Sequence, residues 1–223
     1  MKILVIAPHP DDEVLGAGGT IKKFTEAKHS VHLCIVTKAY PPDWDLKIIK
    51  KKKEEVFSAG KQLGINQIYF LNYPTAKLDT IPQKEIIDSF QSLIKKIKPD
   101  TIFSPNYGDI NKDHRIVFEA ILVATKPTKN NLIKNLLTYE TLSSSEWGGW
   151  GYRSNSFSPN IYINIEKTIE AKIKAMKAYR TEIKPSIHPR SVNSIKTLAR
   201  KRGSEAGLKY AESFMLIRNI EFI

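Results

Sequence analysis

Residues 1–20, MKILVIAPHPDDEVLGAGGT, form the segment that decides the fold. Ile3 to Ala7 is a short apolar run ended by Pro8, which predicts a buried strand. From Asp11 onward the apolar residues follow a helical spacing, so a helix is expected next. The turn between strand and helix holds one histidine and three carboxylates. Open α/β sheets bind ligands at strand ends of this kind, so the segment predicts a site as well as a fold.

Three explanations of this acidic turn can be compared. Acidic side chains cap the free N–H groups at a helix start, but capping requires only one and explains neither His9 nor the two prolines beside it. A dinucleotide-binding loop would need a third glycine where Ile21 stands, and its acidic residues would repel a pyrophosphate. A metal site is the interpretation that remains.

Apolar strand patterns and amphipathic helix patterns alternate along the rest of the chain. This order predicts an α/β protein with a three-layer Rossmann-like fold, a mainly parallel central sheet and helices on both faces. We expect a single domain over residues 1–223, with one long loop at 143–158. The predicted strands are 3–7, 31–37, 67–71, 101–104, 136–141, 161–163 and 213–218. The predicted helices are 12–28, 45–63, 82–97, 113–125, 165–181 and 191–202.

Composition narrows the class of protein. No apolar run approaches the roughly 20 residues that span a bilayer, and the N-terminus has no signal-peptide layout, so we expect a cytoplasmic protein. The single cysteine, Cys34, excludes a disulfide framework and a Cys-rich zinc site. The net charge is +12, from 35 Lys and Arg against 23 Asp and Glu, and would attract anionic partners such as nucleotide-linked sugars, phosphorylated glycans or nucleic acid.

A second polar turn, residues 108–115, follows the fourth predicted strand. Parallel strands end at the same edge of a sheet, so His114 in this turn can converge with His9. Together with Asp12 they supply two imidazoles and one carboxylate, the usual ligand set of a catalytic zinc site with an open position. Asp113 is expected to orient an imidazole. Taken alone, the Asp113–His114 pair would more simply be a helix cap and a half-exposed histidine.

Of the other histidines, only His188 has a suggestive context. Two prolines hold it in an extended loop before a helix, with Arg190 beside it, which is how a protein displays a polar group. An ordinary surface turn is the alternative. His29 and His32 carry no partner motif, so surface or structural roles are expected for them.

The motif from Pro8 to Glu13, with the later Asp113–His114 pair, resembles the PIG-L/LmbE-like family of zinc-dependent de-N-acetylases. The resemblance extends over nearly the full chain. Supporting motifs are Leu78-Asp79-Thr80, Tyr139-Glu140-Thr141, Ser145-Glu146-Trp147, His188-Pro189-Arg190-Ser191, Arg202-Gly203 and Tyr210-Ala211-Glu212-Ser213-Phe214. It implies a Zn²⁺ cofactor bound by His9, Asp12 and His114, and removal of acetyl from an N-acetyl amino sugar or related glycoconjugate.

The resemblance also implies catalytic roles. Asp11 would be the general base that takes a proton from water and returns it to the departing amine. Family members commonly have an oxyanion-stabilising histidine three residues before the ligand histidine, and here that residue is Asn111. An amide can donate an N–H but cannot carry a proton, so His188 is a second candidate for this role. Arg190 and Glu13 are assigned to substrate binding. The alternative for Glu13 is that it simply caps the helix.

Two other functions compete with the deacetylase. A basic nucleic-acid-binding protein would need a basic stripe interleaved with aromatic residues or a known reading motif, and neither is found. A catalytically idle family member is conceivable because of Asn111. The expected partner is a small N-acetyl sugar, free, nucleotide-linked or lipid-linked, and no nucleic acid is expected.

Overall fold

A seven-stranded sheet forms the centre of the computed structural model, which describes residues 1–128, 133–148 and 156–221. The strands are β1 Lys2–Ala7, β2 Ser30–Lys38, β3 Gln67–Pro74, β4 Thr101–Pro105, β5 Asn135–Tyr139, β6 Ile161–Asn164 and β7 Ala211–Asn219. The helices are α1 Asp12–Glu26, α2 Leu46–Leu63, α3 Gln83–Ile97, α4 Lys112–Ala124, α5 Ile169–Ala178 and α6 Val192–Ser204. Short 3-10 turns cover Leu78–Thr80 and Ser145–Trp147.

The strand order β3-β2-β1-β4-β5-β7-β6 explains where a site can form. β1 pairs in parallel with β2 on one side and with β4 on the other, and β3 and β5 extend the parallel part outward. The chain order therefore reverses between β1 and β4, which opens a crevice beyond their carboxyl ends. β7 runs antiparallel to β5 and β6. The predicted α/β fold with a mainly parallel sheet is confirmed.

Strand β1 is buried on both faces and so joins two cores. Ile3, Val5 and Ala7 pack into one cluster with side chains from α1, α2, α5 and α6. Leu4 and Ile6 point the opposite way, into a cluster with α3 and α4. This explains why the strand is a continuous apolar run rather than an alternating one. The predicted three layers are therefore present.

The glycine-rich middle of α1 serves packing. A Cβ on Gly16 would lie 2.1 Å from a ring carbon of Tyr139, and one on Gly19 would lie 2.9 Å from Ile165, so both positions need glycine.

A buried ion pair also contacts this part of α1. Lys172 Nζ lies 2.6 Å from Glu212 Oε1 and 2.8 Å from the carbonyl oxygen of Leu15. Glu212 also accepts hydrogen bonds from two backbone N–H groups of α1, those of Gly19 and Thr20.

The structure differs from the predicted elements mainly at their ends. The helix predicted at 165–181 begins at Ile169, because residues 165–168 form a turn in which the Thr168 hydroxyl donates to the carbonyl of Gly19. The loop predicted at 143–158 includes the 3-10 turn Ser145–Trp147, and its residues 149–155 lie outside the described residues. Within the described ranges, no helix is long and apolar enough to cross a membrane.

Candidate active site

The first polar turn connects β1 to α1 through a strained residue. Asp11 has φ 111°, a left-handed conformation that is uncommon for a residue other than glycine. Its carbonyl accepts from Val14 and Leu15, so α1 starts at once and the side chains of Asp11 and Asp12 are held at the strand end. Strain of this type costs on the order of 1–3 kcal/mol and clusters at functional sites.

Three side chains converge on one point between β1 and β4. His9 Nδ1 lies 3.2 Å from His114 Nε2, and Asp12 Oδ2 lies 3.3 Å from the first nitrogen and 3.2 Å from the second. One ligand atom from each residue fits within 4.8 Å of the others. A tetrahedral zinc ion with bonds of about 2.0–2.1 Å separates its ligand atoms by roughly 3.3 Å, so the spacing of this cluster, called here the metal cluster, fits such an ion.

Each imidazole of the metal cluster is held by a second carboxylate. His9 Nε2 lies 2.9 Å from Asp113 Oδ2, and His114 Nδ1 lies 3.1 Å from Asp109 Oδ2. Asp113 in turn accepts from the backbone N–H groups of Ala76 and Leu78, so it is fixed from the β3 side. These contacts leave His9 Nδ1 and His114 Nε2 facing the cluster.

Asp113 therefore lies where the sequence placed it, whereas Asp109 was not singled out. Asp109 is buried and accepts from Ser144 Oγ and, at 2.9 Å, from Ser145 Oγ, in addition to its contact with His114. The two serines lie in the segment after β5. The sequence of the 108–115 turn therefore could not predict their contacts with Asp109. The signal that could have found Asp109 is its position as the first acidic residue after β4.

The charges of the metal cluster act strongly on one another. Burial opposes protonation of His114, but the carboxylates of Asp12 and Asp109 outweigh it and raise the pKa of His114 to about 10. Burial raises the pKa of Asp12, yet the neighbouring His114 and His9 outweigh burial and hold that pKa well below its usual range. The cluster thus favours positive charge at its centre.

Asp11 lies beside the metal cluster without joining it. It is almost completely buried, and burial together with the charge of Asp12 raises its pKa well above the usual value. Arg190 opposes this rise, since its Nη1 lies 3.2 Å from Asp11 Oδ2. Arg190 is itself held by Glu182, at 2.7 Å, and by Ser143 Oγ, at 2.6 Å. The Asp11 carboxylate is thereby fixed next to the candidate ligands.

Glu13 is buried and does not line the cavity next to His9 and Asp11. It has no exposed surface, and the hydroxyl of Tyr179 donates to its Oε1 at 2.6 Å while the Asp11 N–H donates to its Oε2. Burial raises the pKa of Glu13 to about 7. The assignment of Glu13 to substrate binding does not match this position; the side chain braces the strained turn instead.

Asn111 and His188 occupy different positions. Asn111 caps α4, since its Oδ1 accepts from Asp113 N at 3.0 Å, and it lines the cavity beside the metal cluster. His188 Nδ1 accepts from the backbone N–H of Arg190 at 3.0 Å, and His188 is not among the described residues that line this cavity. The structure therefore brings Asn111 and Arg190, but not His188, to the cavity.

The cavity has a volume of about 530 Å³ and opens beside His9 and Asp11. That volume is in the range of small-molecule sites, about 300–1,000 Å³. Its walls combine the ends of β2 and β3 with the first half of α2. It can therefore hold a ligand larger than an acetamide group.

The fold and the metal cluster define an α/β protein with a candidate metal centre at its topological switch point. The chain belongs to the GlcNAc-PI de-N-acetylase family (PIG-L), whose family model matches residues 4–125.

Two curated relatives and two solved structures extend the similarity. The chain is 25% identical to the diacetylchitobiose deacetylase of Thermococcus kodakarensis, over 98% of this chain and 84% of that protein. It is 22% identical to a probable N-acetyl-alpha-D-glucosaminyl L-malate deacetylase 2 of Bacillus cereus, over 81% of this chain and 83% of that protein. The conserved protein TT1542 from Thermus thermophilus has the same fold, with a TM-score of 0.77 and 23% identity over 99% of this chain and 96% of that one. The N,N'-diacetylchitobiose deacetylase from Pyrococcus horikoshii also shares the fold, with a TM-score of 0.76 and 24% identity over 97% and 83% of the two chains.

Proposed function

We propose that the protein is a zinc-dependent N-deacetylase that hydrolyses the acetamide of an N-acetyl amino sugar or related glycoconjugate. The observation that carries the proposal is the metal cluster of His9, Asp12 and His114 with the Asp11 carboxylate beside it, in a chain of the GlcNAc-PI de-N-acetylase family. The named relatives, deacetylases of diacetylchitobiose and of N-acetylglucosaminyl malate, support this substrate class.

The metal cluster supplies the first part of the chemistry. A zinc ion held there would polarise the acetamide carbonyl and lower the pKa of a water molecule toward about 7. Asp113 and Asp109 lie within hydrogen-bond distance of the outer nitrogens of His9 and His114, contacts that would favour the tautomers with a lone pair toward a bound metal. The protein thus contributes a ligand set whose orientation is fixed before substrate arrives.

Asp11 is the proposed general base. One oxygen, Oδ2, is engaged by Arg190, and Oδ1 has no hydrogen bond to any described residue. Oδ1 is therefore free to take a proton from water and to deliver it to the departing amine nitrogen. Burial favours the protonated carboxyl, which suits the second of these steps.

Asn111 is the proposed hydrogen-bond donor to the oxyanion. Its Oδ1 is used in capping α4, so the amide is oriented and its Nδ2, which donates to no described residue, is the group left for a ligand. A donor in this role is typically worth roughly 3–4 kcal/mol of transition-state stabilisation. His188 remains the alternative from the sequence, and would have to approach the cavity from the loop before α6.

Acetate release is the direct test. The zinc-loaded protein is incubated with free, nucleotide-linked and lipid-linked N-acetyl sugars, and acetate is measured against the Asp11→Asn variant as control. Release that depends on zinc and on Asp11 is expected from at least one compound. Zinc bound without release from any of them would favour the catalytically idle family member instead.

A further inference from the structure

The backbone of Asp11 needs support, because a left-handed conformation is costly for any residue other than glycine and persists only where surrounding contacts hold it. The Asp11 N–H donates to Glu13 Oε2 at 3.2 Å, and Glu13 Oε1 accepts from the Tyr179 hydroxyl at 2.6 Å. Glu13 and Tyr179 have no exposed surface, so water does not compete for these two hydrogen bonds. Tyr179 therefore supports the backbone of Asp11 through one intervening side chain.

The side chain of Asp11 is held from the same short segment of chain. Arg190 Nη1 donates to Asp11 Oδ2 at 3.2 Å, and the same nitrogen donates to Glu182 Oε2 at 2.7 Å. Tyr179 and Glu182 lie in one turn directly after α5, in which the Glu182 N–H donates to the Tyr179 carbonyl at 3.0 Å. This turn, called here the 179–182 turn, thus acts on both the backbone and the carboxylate of Asp11.

The 179–182 turn is itself anchored to α2. Thr181 donates to both carboxylate oxygens of Glu55, from its backbone N–H at 3.2 Å and from its hydroxyl at 2.7 Å, and Glu55 is almost fully buried. Lys52, three residues earlier on α2, donates to Glu182 Oε1. Because α2 also contributes to the cavity wall, these contacts join that wall to the 179–182 turn.

We infer that the 179–182 turn is a positioning element for the general base, in which Tyr179 sets the backbone of Asp11 and Glu182 sets its carboxylate. The position of a carboxylate depends on its backbone and on two side-chain torsions, and the two sets of contacts fix both ends of this side chain. The inference rests on the proposed function, since it concerns the group that takes a proton from water. A displacement of about 1 Å in such a group can lower the rate roughly 10²-fold.

Two buried tyrosines provide the first test, because each loses only a hydroxyl on replacement by phenylalanine. The Tyr139 hydroxyl donates to the Ile6 carbonyl at 2.7 Å, and Tyr139 is as fully buried as Tyr179. A loss of stability alone would therefore affect both variants alike. We expect Tyr179→Phe to lower kcat about tenfold or more with KM and zinc content unchanged, and Tyr139→Phe to leave kcat unchanged. A similar fall in both variants, or an unchanged kcat in Tyr179→Phe, would overturn the role of Tyr179.

Glu182→Gln tests the contact with the carboxylate of Asp11. The amide keeps the size of the side chain but removes the negative charge that holds the guanidinium of Arg190. Glu170→Gln is the matched control, because Glu170 lies on α5 as an exposed partner of Lys196. We expect kcat to fall several-fold in Glu182→Gln with KM unchanged, and both constants to stay unchanged in Glu170→Gln. A change in KM alone would show that Glu182 contacts substrate instead, and would overturn its positioning role.

The Asp11→Asn variant shows whether both residues act through Asp11. Once the base is removed, neither Tyr179→Phe nor Glu182→Gln should lower the residual turnover further, because residues that act as a unit have non-additive effects. If each substitution causes the same fold loss in Asp11→Asn as in the original protein, the turn acts on the substrate or the metal instead, and the inference is overturned.

Amide hydrogen exchange separates this inference from the proposed function. Exchange of the Asp11 N–H, followed by NMR in the zinc-loaded protein without substrate, should be roughly 2- to 10-fold faster in Tyr179→Phe and unchanged in Tyr139→Phe. If the original protein releases no acetate but the Asp11 amide responds in this way, the proposed hydrolysis fails and the positioning contact stands. If acetate is released while exchange and kcat are the same in the two tyrosine variants, the hydrolysis stands and the positioning role is refuted.

Discussion

Arg190 and Asp11 are 179 residues apart in the chain, yet Arg190 Nη1 lies 3.2 Å from Asp11 Oδ2. The same nitrogen donates to Glu182 Oε2 at 2.7 Å, so a second carboxylate also holds the guanidinium. The loop before α6 therefore reaches back to the first turn of the molecule and fixes one carboxylate oxygen there. That leaves the other oxygen of Asp11 available for the proposed proton transfer.

Replacing Asp11 by asparagine tests this role. The Asp11→Asn variant should keep its zinc but lose about 10²- to 10⁴-fold in kcat, because an amide cannot accept a proton from water. Zinc content by metal analysis and acetate release are measured on the same sample. Turnover near the wild-type rate in zinc-loaded Asp11→Asn would remove Asp11 from the role of base.

The metal cluster can be tested without any substrate. His9→Ala and His114→Ala should each retain little zinc after dialysis, since each removes one of three ligands. His29→Ala is the matched control, because the His29 ring lies against the N-terminus and Phe24, away from the metal cluster. Full zinc retention in both site variants would refute the ligand assignment.

Asp109 should affect zinc affinity through His114. In Asp109→Asn the amide can present its NH₂ group to Nδ1, which no longer favours the tautomer that leaves Nε2 free, so affinity should fall roughly 10–100-fold. Asp88→Asn, an exposed carboxylate change on α3, serves as control. Competition with a chelator of known affinity gives the comparison, and unchanged affinity in Asp109→Asn would show that the contact is unimportant.

Asn111 and His188 can be distinguished by paired substitutions. Asn111→Asp keeps the oxygen that caps α4 but removes the Nδ2 donor, so kcat should fall roughly 10²-fold or more with zinc retained. His188→Ala should change kcat little, because His188 does not line the described cavity. The reverse result, a large loss in His188→Ala alone, would restore the histidine as the oxyanion donor.

The buried ion pair beneath α1 should matter for stability. Lys172→Met leaves Glu212 buried and unpaired in the described core, which should lower the free energy of unfolding by about 3–5 kcal/mol. Lys174→Met, an exposed change on the same helix, should stay within about 0.5 kcal/mol of the original. Chemical denaturation of both variants gives the values; similar midpoints would show that Glu212 is satisfied without Lys172.

The sheet and the convergence of His9 with His114 were predictable from the sequence for one reason. Hydrophobic periodicity identifies parallel strands, and parallel strands end at one edge, so His9 and His114 had to lie near each other. The contacts of Asp109 with Ser144 and Ser145, and of Glu13 with Tyr179, were not predictable. They join segments from opposite parts of the chain, and no local pattern encodes where loops and helix faces meet.

His188 shows that position in the sequence does not predict which side chain of a loop reaches a cavity. It stands two residues from Arg190 in the sequence, yet only Arg190 lines the cavity. The His188 side chain is instead engaged by the backbone of Arg190, whose N–H donates to His188 Nδ1 at 3.0 Å. Adjacency in the sequence therefore indicated the loop, but not which of its side chains lines the cavity.

The bond between His9 and Asp113 has a consequence for the order of events during synthesis. His9 follows β1, but the carboxylate that orients it belongs to α4, 104 residues later. Of the metal cluster, a nascent chain that ends before β4 contains only His9 and Asp12, and two ligands are fewer than a zinc site uses. If the metal cluster holds zinc as proposed, firm capture of the ion requires β1 and β4 to be side by side, and metal uptake would then report correct pairing of these strands.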